Sequence, residues 1–145
     1  MADIFSKEKR HEIMSRIRNK DTKIEIKVRN WLFHHGIRYR KNYEKVTGKP
    51  DIVITKYKIA IFVHGCFWHA HENCKLCRFP KTQVEFWKEK LERNKERDIR
   101  IIQDLTKDGW NVFVLWECQV ENNFDETMNS LLENILKIKA EHEKT

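Results

Sequence analysis

Six residues with metal-ligating chemistry crowd into few places. Cys66, His69, His71, Cys74 and Cys77 fall within twelve residues, and Cys118 follows a later apolar run. Structural zinc takes four N and S ligands in a tetrahedron, typically from two short-spaced sets. Cys66 with His71 or Cys74 supplies the local half. Cys118 can reach it if the strands before Cys66 and Cys118 lie side by side. Six candidates compete for four places, so the spacing points to zinc but leaves the ligand set open. Free buried thiols are the bland alternative, since Cys packs as a small hydrophobe. That alternative gives no reason for three Cys and two His to gather in one loop. In a reducing compartment, 4 cysteines also argue for metal or catalysis before disulfides.

A second group could cleave a phosphodiester. Such a site needs oxygen ligands for Mg²⁺, from one or two carboxylates and often a backbone carbonyl, and a base for the attacking water. Asp51, after Pro50, offers the carboxylate, and His64 or His69 the base. Glu25 is a further carboxylate upstream. Each has a plainer role too: Asp51 as a turn residue, Glu25 as the capping-box partner of Thr22, the histidines as zinc ligands. Phe67 and Trp68 share the loop with these histidines. Two large rings between polar residues are hard to bury together, and exposed rings can wedge into a base stack. Trp87 follows at the start of a basic helix. Phe67, Trp68 and Trp87 are therefore expected to be at least partly exposed, whereas Trp31, Trp110 and Trp116 read as core. Lys88, Lys90, Arg93, Lys95 and Arg97 interleave with Glu89, Glu92 and Glu96, the pattern of a solvated helix face.

The elements that must position these residues follow from periodicity. Thr22-Lys23-Ile24-Glu25 has capping-box spacing, and Ile24, Val28, Trp31, Leu32 and His35 continue a helix that Gly36 ends. Residues 37–43 alternate like a strand. A turn at 47–50 leads into a short strand from Asp51 to Ile54, and a second turn at 56–58 into a buried strand, 59–63. That strand runs straight into His64-Gly65-Cys66-Phe67-Trp68-His69. Residues 70–81 read as loop. A long helix spans 83–107, with Phe86, Leu91, Ile99, Ile102 and Leu105 as its buried face, and Gly109 stops it. Residues 111–116 form another buried strand. A closing helix covers 123–139, built on Met128, Leu131, Leu132, Ile135 and Ile138, with a frayed polar tail from Ala140. The order helix, three strands, helix, strand, helix implies an α/β sandwich around a mixed sheet.

Composition bounds the function. A chain of 145 residues makes one domain, and 40% hydrophobic residues with only 4 Gly and 2 Pro exclude collagen-like and Gly/Pro-rich disordered chains. A net charge of +7 with 5 Trp and 8 Phe directs attention to nucleic acid. Even the apolar run Ile59 to Val63, which none exceeds, is far short of the roughly 20 residues of a membrane span. The first ten residues carry no apolar h-region, so a cytoplasmic chain with no membrane partner is expected.

These residues together resemble the very short patch repair endonucleases. The string from Phe62 to His71, FVHGCFWHAH, is similar to that family's central motif. The likeness extends to Met14-Ser15-Arg16-Ile17, to Lys20-Asp21-Thr22 with Glu25, and to Gly48-Lys49-Pro50-Asp51. It continues through Glu85-Phe86-Trp87, Asn94, Arg97-Asp98, Gly109-Trp110 and Trp116-Glu117-Cys118. It covers residues 8–120.

The resemblance implies a restriction-endonuclease-like fold, a structural zinc and Mg²⁺-dependent nicking of DNA. The nick falls 5′ of the mismatched thymine in T:G pairs left by deaminated 5-methylcytosine, within the target site of a cytosine-5 methyltransferase. By position, it makes Asp51 the main Mg²⁺ carboxylate and the Val63 carbonyl a second ligand. His69 becomes the general base or acid, oriented by Asp98; His64 assists at the phosphate, and Glu25 stands at the metal's edge. Cys66, His71, Cys74 and Cys118 become the zinc ligands. Phe67, Trp68 and Trp87 match rings that intercalate beside the mismatch, and Met14 matches a residue acting from the other groove. Lys90 and Asn94 match positions on a DNA-reading helix. By composition, the basic, polar residues 1–20 read as a short helix or arm contacting DNA, 21–140 as a single endonuclease domain and 141–145 as a polar tail. The enzyme would be a monomer in a prokaryotic, nucleoid-associated cytoplasm, linked to a methyltransferase and to downstream repair proteins.

Two departures stand out. Related nucleases carry a second acid and a Lys on the strand after Pro-Asp, where this chain reads Phe62-Val63-His64, and Val63 replaces a familiar Thr. Cys77 is an extra thiol that could compete with Cys74. Two other readings remain. One is a nuclease acting on modified or damaged DNA; the other is a zinc-stapled DNA-binding module without catalysis. A mere binder needs neither Asp51 nor His69.

Overall fold

The computed structural model describes residues 22–67, 69, 71, 74 and 82–144. Met14, the rest of the N-terminal arm, Trp68 and Cys77 lie outside them.

Helix α1 runs Lys23–His34. The Thr22 side chain accepts a hydrogen bond from the Glu25 backbone N–H at 3.3 Å, which satisfies one of the orphan donors of the first turn. Gly36, at φ +77°, lets the chain leave the helix. The alternating segment yields only a two-residue strand, β1 (Arg40–Lys41). It is shorter than the expected 37–43 because both its residues are exposed and Asn42 turns left-handed, φ +48°. Strands β2 (Ile52–Ile54) and β3 (Ile59–His64) form a hairpin around a single 3₁₀ turn (Thr55–Tyr57) and a left-handed Lys58. Helix α2 (Val84–Lys107) then crosses to β4 (Asn111–Trp116). Strand β4 pairs parallel with β3 from Ile59↔Asn111 to His64↔Trp116. The sheet order is β1-β2-β3-β4, antiparallel twice and then parallel, which is the mixed sheet expected.

Every residue of β3 is buried, so both faces of the sheet are covered. Ile59, Ile61 and Val63 join Val28 and Leu32 of α1 and Met128, Leu131 and Ile135 in one core. The alternate residues Ala60 and Phe62 pack with Leu105, Ile101 and Trp110 on the α2 side. The strand's two-residue period therefore sends His64 toward the α2 face, where Asp98 stands.

Three elements differ from the sequence reading. A short helix, α3 (Glu117–Asn122), follows β4 directly. The closing helix, α4 (Phe124–Lys144), continues through the segment read as a frayed tail. On α2 the buried stripe is Trp87, Leu91, Asn94 and Leu105, while Phe86 is 43% and Ile99 49% exposed. With 3.6 residues per turn, Phe86 and Ile99 sit more than about a quarter turn off that stripe. Among the described residues, no helix is long and apolar enough to cross a membrane.

Candidate active site

Asp51 enters the site because buried Pro50 and strand β2 carry it to the end of the sheet beside β3. One carboxylate oxygen accepts the Val63 backbone N–H at 2.7 Å. Burial pushes the carboxyl up from its usual 3.8 to about 7, and the nearby Glu25 carboxylate pushes the same way; the Val63 N–H and Arg29 oppose. A carboxylate so costly to ionise alone fits a divalent cation, which would replace the proton and offset the charge. Glu25 is buried and lines the same cavity. Its carboxylate stands 3.7 Å from Arg29, one turn on, and Arg29 is itself buried.

His64 is 5% exposed, and its Nδ1 has no hydrogen-bond partner among the described residues. Its ring stacks on His69 with centroids 3.7 Å apart and planes 3° from parallel. Burial, then the neighbouring His69 and Arg97, lower the His64 pKa from 6.5 to about 3, against the opposing pull of Asp98. His64 is therefore neutral at physiological pH. His69 pairs through Nδ1 with the Asp98 carboxylate at 2.5 Å. This joins the loop after β3 to the middle of α2. Asp51, Val63, His64, His69, Asp98 and Glu25 all line one cavity of about 1000 Å³. The structure thus brings together every residue that the resemblance placed at the reaction centre.

The second cluster lies on the other side of Trp116. The ligand atoms of Cys66, His71, Cys74 and Cys118 all stand within 4.8 Å of one another. Cys118 Sγ is 3.5 Å from His71 Nδ1, and the Cys118 backbone N–H meets Cys66 Sγ at 3.4 Å. Parallel pairing of β3 with β4 brings these distant cysteines together, as the spacing required. Burial raises the Cys66 thiol above its ordinary range, and the neighbouring thiols Cys74 and Cys118 add to the rise. The Cys118 thiol is raised as well, mainly by burial. Three crowded thiols and an imidazole fit a closed tetrahedral metal, which would hold them as thiolates.

The ring positions depart from expectation. Trp87, expected to be at least partly exposed, is 4% exposed. Phe67 packs edge-on against it at 5.6 Å, Phe86 at 5.1 Å, and the Lys90 ammonium lies 5.6 Å from its ring centre. Apolar rings cover one another when no base stack is present to receive them. Phe67 is half-buried, and the exposed ring of this group is Phe86, which the sequence placed in the core. Asn94, a proposed DNA-reading position, is buried against the cavity. Trp116, read as core, stacks on His71 at 4.0 Å and stands edge-on to His64 at 5.3 Å, so it separates the two clusters.

Sequence reasoning missed Arg29 and Glu117. Arg29 stands four residues after Glu25, a spacing that places two residues on one helix face and could have flagged it. Glu117 accepts the Cys66 backbone N–H at 3.1 Å and lines the cavity. The sequence reading carried it in the Trp116-Glu117-Cys118 likeness but gave it no role.

Residues 2–76, half the chain, match the family model described as DNA mismatch endonuclease Vsr. The chain belongs to the Vsr family. It is 39% identical over 135 residues to the DNA mismatch endonuclease Vsr of Escherichia coli (strain K12), covering 93% of this chain and 86% of that protein. It is 46% identical over 137 residues to the type II nicking enzyme V.NmeAIP of Neisseria meningitidis serogroup A, covering 93% and 97%. A type II nicking enzyme of Xanthomonas oryzae, V.XorIIP, is 38% identical over 122 residues, covering 84% and 89%. This Vsr-family chain is therefore a DNA endonuclease. Its mixed sheet with helices on both faces is the restriction-endonuclease-like arrangement expected.

Proposed function

We propose that this endonuclease nicks double-stranded DNA on the 5′ side of the mismatched thymine in T:G pairs left by deaminated 5-methylcytosine. The observation that carries the reading is one cavity lined by the half-buried Asp51 carboxylate and by the His69–Asp98 pair, with Phe67 of the aromatic cluster also in its lining. The E. coli relative is named a mismatch endonuclease, which supports a mismatch as the trigger.

Asp51 and the Val63 carbonyl would hold Mg²⁺, with Glu25 at its edge. When bound, the ion supplies charge neutralisation at the scissile phosphate and acidifies a water. Asp98 fixes the proton on His69 Nδ1, which leaves Nε2 to take the proton of the attacking water. His64, held neutral by burial, would serve the phosphate as a neutral N–H donor and adds no charge to the site. Arg29 and Glu25 place one fixed positive and one negative charge behind Asp51. Cys66, His71, Cys74 and Cys118 would hold zinc, which would tie the loop after β3 to the start of α3.

Phe67 and Trp87 would leave their mutual packing to enter the stack beside the mismatch, with Trp68 and Met14, while Lys90 and Asn94 lie on the helix that meets the DNA. A mismatch lowers the cost of opening a step, so the wedge favours T:G over matched pairs. The enzyme would act as a cytoplasmic monomer alongside a cytosine-5 methyltransferase and downstream repair proteins. The test is a nicking assay on end-labelled duplexes carrying T:G in candidate methylation sites, with C:G and T:A controls, with and without Mg²⁺. Cleavage of the T:G duplex alone, 5′ of the thymine, is expected. Equal cutting of all three would overturn the mismatch reading.

A further inference from the structure

Cys66 is fully buried, so an unpaired backbone N–H there would carry a desolvation cost. The β3–β4 ladder cannot supply its partner. It ends at His64↔Trp116, because the chain turns into α3 at Glu117. The Glu117 carboxylate takes over, accepting that N–H at 3.1 Å. Cys66 is then fixed at three atoms. Its carbonyl accepts the His71 N–H at 2.9 Å, and its sulfur receives the Cys118 N–H at 3.4 Å. The adjacent Gly65 carbonyl accepts the His69 N–H at 3.2 Å. The turn carrying Phe67 and His69 therefore grows from a point that Glu117 clamps.

We propose that Glu117 is a positioning residue for nicking: its bond to the Cys66 N–H sets the turn that delivers His69 to Asp98 and Phe67 to the ring cluster. The role needs a hydrogen-bond acceptor at the right reach and does not need the negative charge. Glu117 also lines the cavity that holds Asp51, so the alternative is that its charge serves a metal ion. The activity readout rests on the nicking reaction proposed above, and the exchange readout does not.

The experiment compares Glu117→Gln, Glu117→Asp and Glu117→Ala in the metal-loaded full chain. Gln keeps the acceptor and reach; Asp keeps the charge but falls a methylene short. Single-turnover nicking of T:G duplex, duplex affinity, metal content, Tm and amide exchange at Cys66 are measured. Misplacement of a catalytic group by about 1 Å can cost about 100-fold. Glu117→Gln should nick within about threefold of wild type, while Glu117→Asp and Glu117→Ala lose about 10- to 100-fold in rate through His69 and a smaller factor in duplex affinity through Phe67. The Cys66 amide should exchange faster in Asp and Ala only, with metal content unchanged and Tm lowered by no more than the few degrees that one unpaired buried N–H costs. Three results would overturn the clamp: Glu117→Asp more active than Glu117→Gln, an unchanged rate and exchange in Glu117→Ala, or a loss of rate that disappears once the fraction of folded, metal-loaded protein is accounted for. If wild type fails to nick T:G duplex, the proposed function falls, and protection of the Cys66 amide in Gln but not in Asp still decides the clamp.

Discussion

Metal binding at Asp51 should release a proton, and the amount should depend on pH in a defined way. Burial lifts this carboxyl from 3.8 to about 7, with Glu25 adding to the rise. A shift of about three units is worth about 4 kcal/mol at 1.36 kcal/mol per unit, and partial exposure to solvent trims this to about 2–4 kcal/mol. The sign follows from proton counting. Between about pH 4 and pH 7 the metal-free folded chain holds a proton that the unfolded chain has lost, so stability falls as pH rises across that window and levels above it. A divalent cation needs the carboxylate and displaces this proton. Apparent affinity for Mg²⁺ should therefore climb about tenfold per pH unit below about 7 and flatten above it. Titration calorimetry in two buffers of different ionisation enthalpy reads the proton directly. About one proton should leave per ion near pH 6 and almost none near pH 8.5. Asp51→Asn should abolish binding and flatten the pH dependence of metal-free stability between about pH 4 and 7. Equal proton release at both pH values, or an unchanged stability slope in Asp51→Asn, would refute the burial account of this carboxyl.

Other expected outcomes are these. Asp98→Asn should keep metal content and T:G affinity but lower the nicking rate by about 10²–10⁴, read in single-turnover assays, because the His69 tautomer is no longer fixed. Cys66→Ser or Cys118→Ser should lose the bound metal and melt far below wild type, while Cys77→Ser is mild; elemental analysis with thermal melts checks both. Gly48→Ala should destabilise by about 1–3 kcal/mol, measured by urea unfolding, since Gly48 has φ +80° and a Cβ there would stand 2.3 Å from Ile101 Cγ2. Ile101→Ala should restore part of that loss. Trp87, buried in the free chain, should gain a fluorescence change on T:G duplex that is smaller on C:G duplex, and equal changes on both would make its ring ordinary packing.

How much of this could be read from sequence depends on what kind of signal each residue carries. Asp51, His64 and His69 were legible because a carboxylate and imidazoles stand out beside short apolar strands and the family motif points to them, whereas Asp98, one acid in a charged helix, was legible only through that motif. Cys118 was legible because its Cys must find partners, and only parallel pairing with β3 brings it to Cys66. The long helix was legible as an element, yet its rotation was not. Phe86 and Ile99 look like core residues, but the helix turns Trp87, Leu91 and Asn94 inward, and Asn94 is a polar group that no hydrophobic count would select. Trp87 shows the converse failure. The resemblance implied a use in the presence of DNA, whereas the free chain obeys apolar burial and packs the indole against Phe67 and Phe86.

Arg29 and Glu117 belong to a third class. Neither occupies a position where its residue type announces chemistry; each matters for what lies next to it once the chain has folded. Arg29 is an ordinary helical cation until burial places it behind Glu25 and Asp51. Glu117 is an ordinary helix-start acid until the sheet ends one residue earlier and leaves the Cys66 N–H without a ladder partner. Spacing could not supply that fact, because it depends on where β4 stops relative to β3. The residues proposed to do the chemistry are thus written into the chain by type, and those proposed to hold them in place are written by topology. The loop from Gly65 to His71 carries both kinds of demand at once. It must present His69 to Asp98 on one side and offer Cys66 and His71 to a metal on the other, with Trp116 between them. That shape does not rest on the segment's own packing alone: Cys66 is fixed through Glu117 and Cys118, and His69 through Asp98.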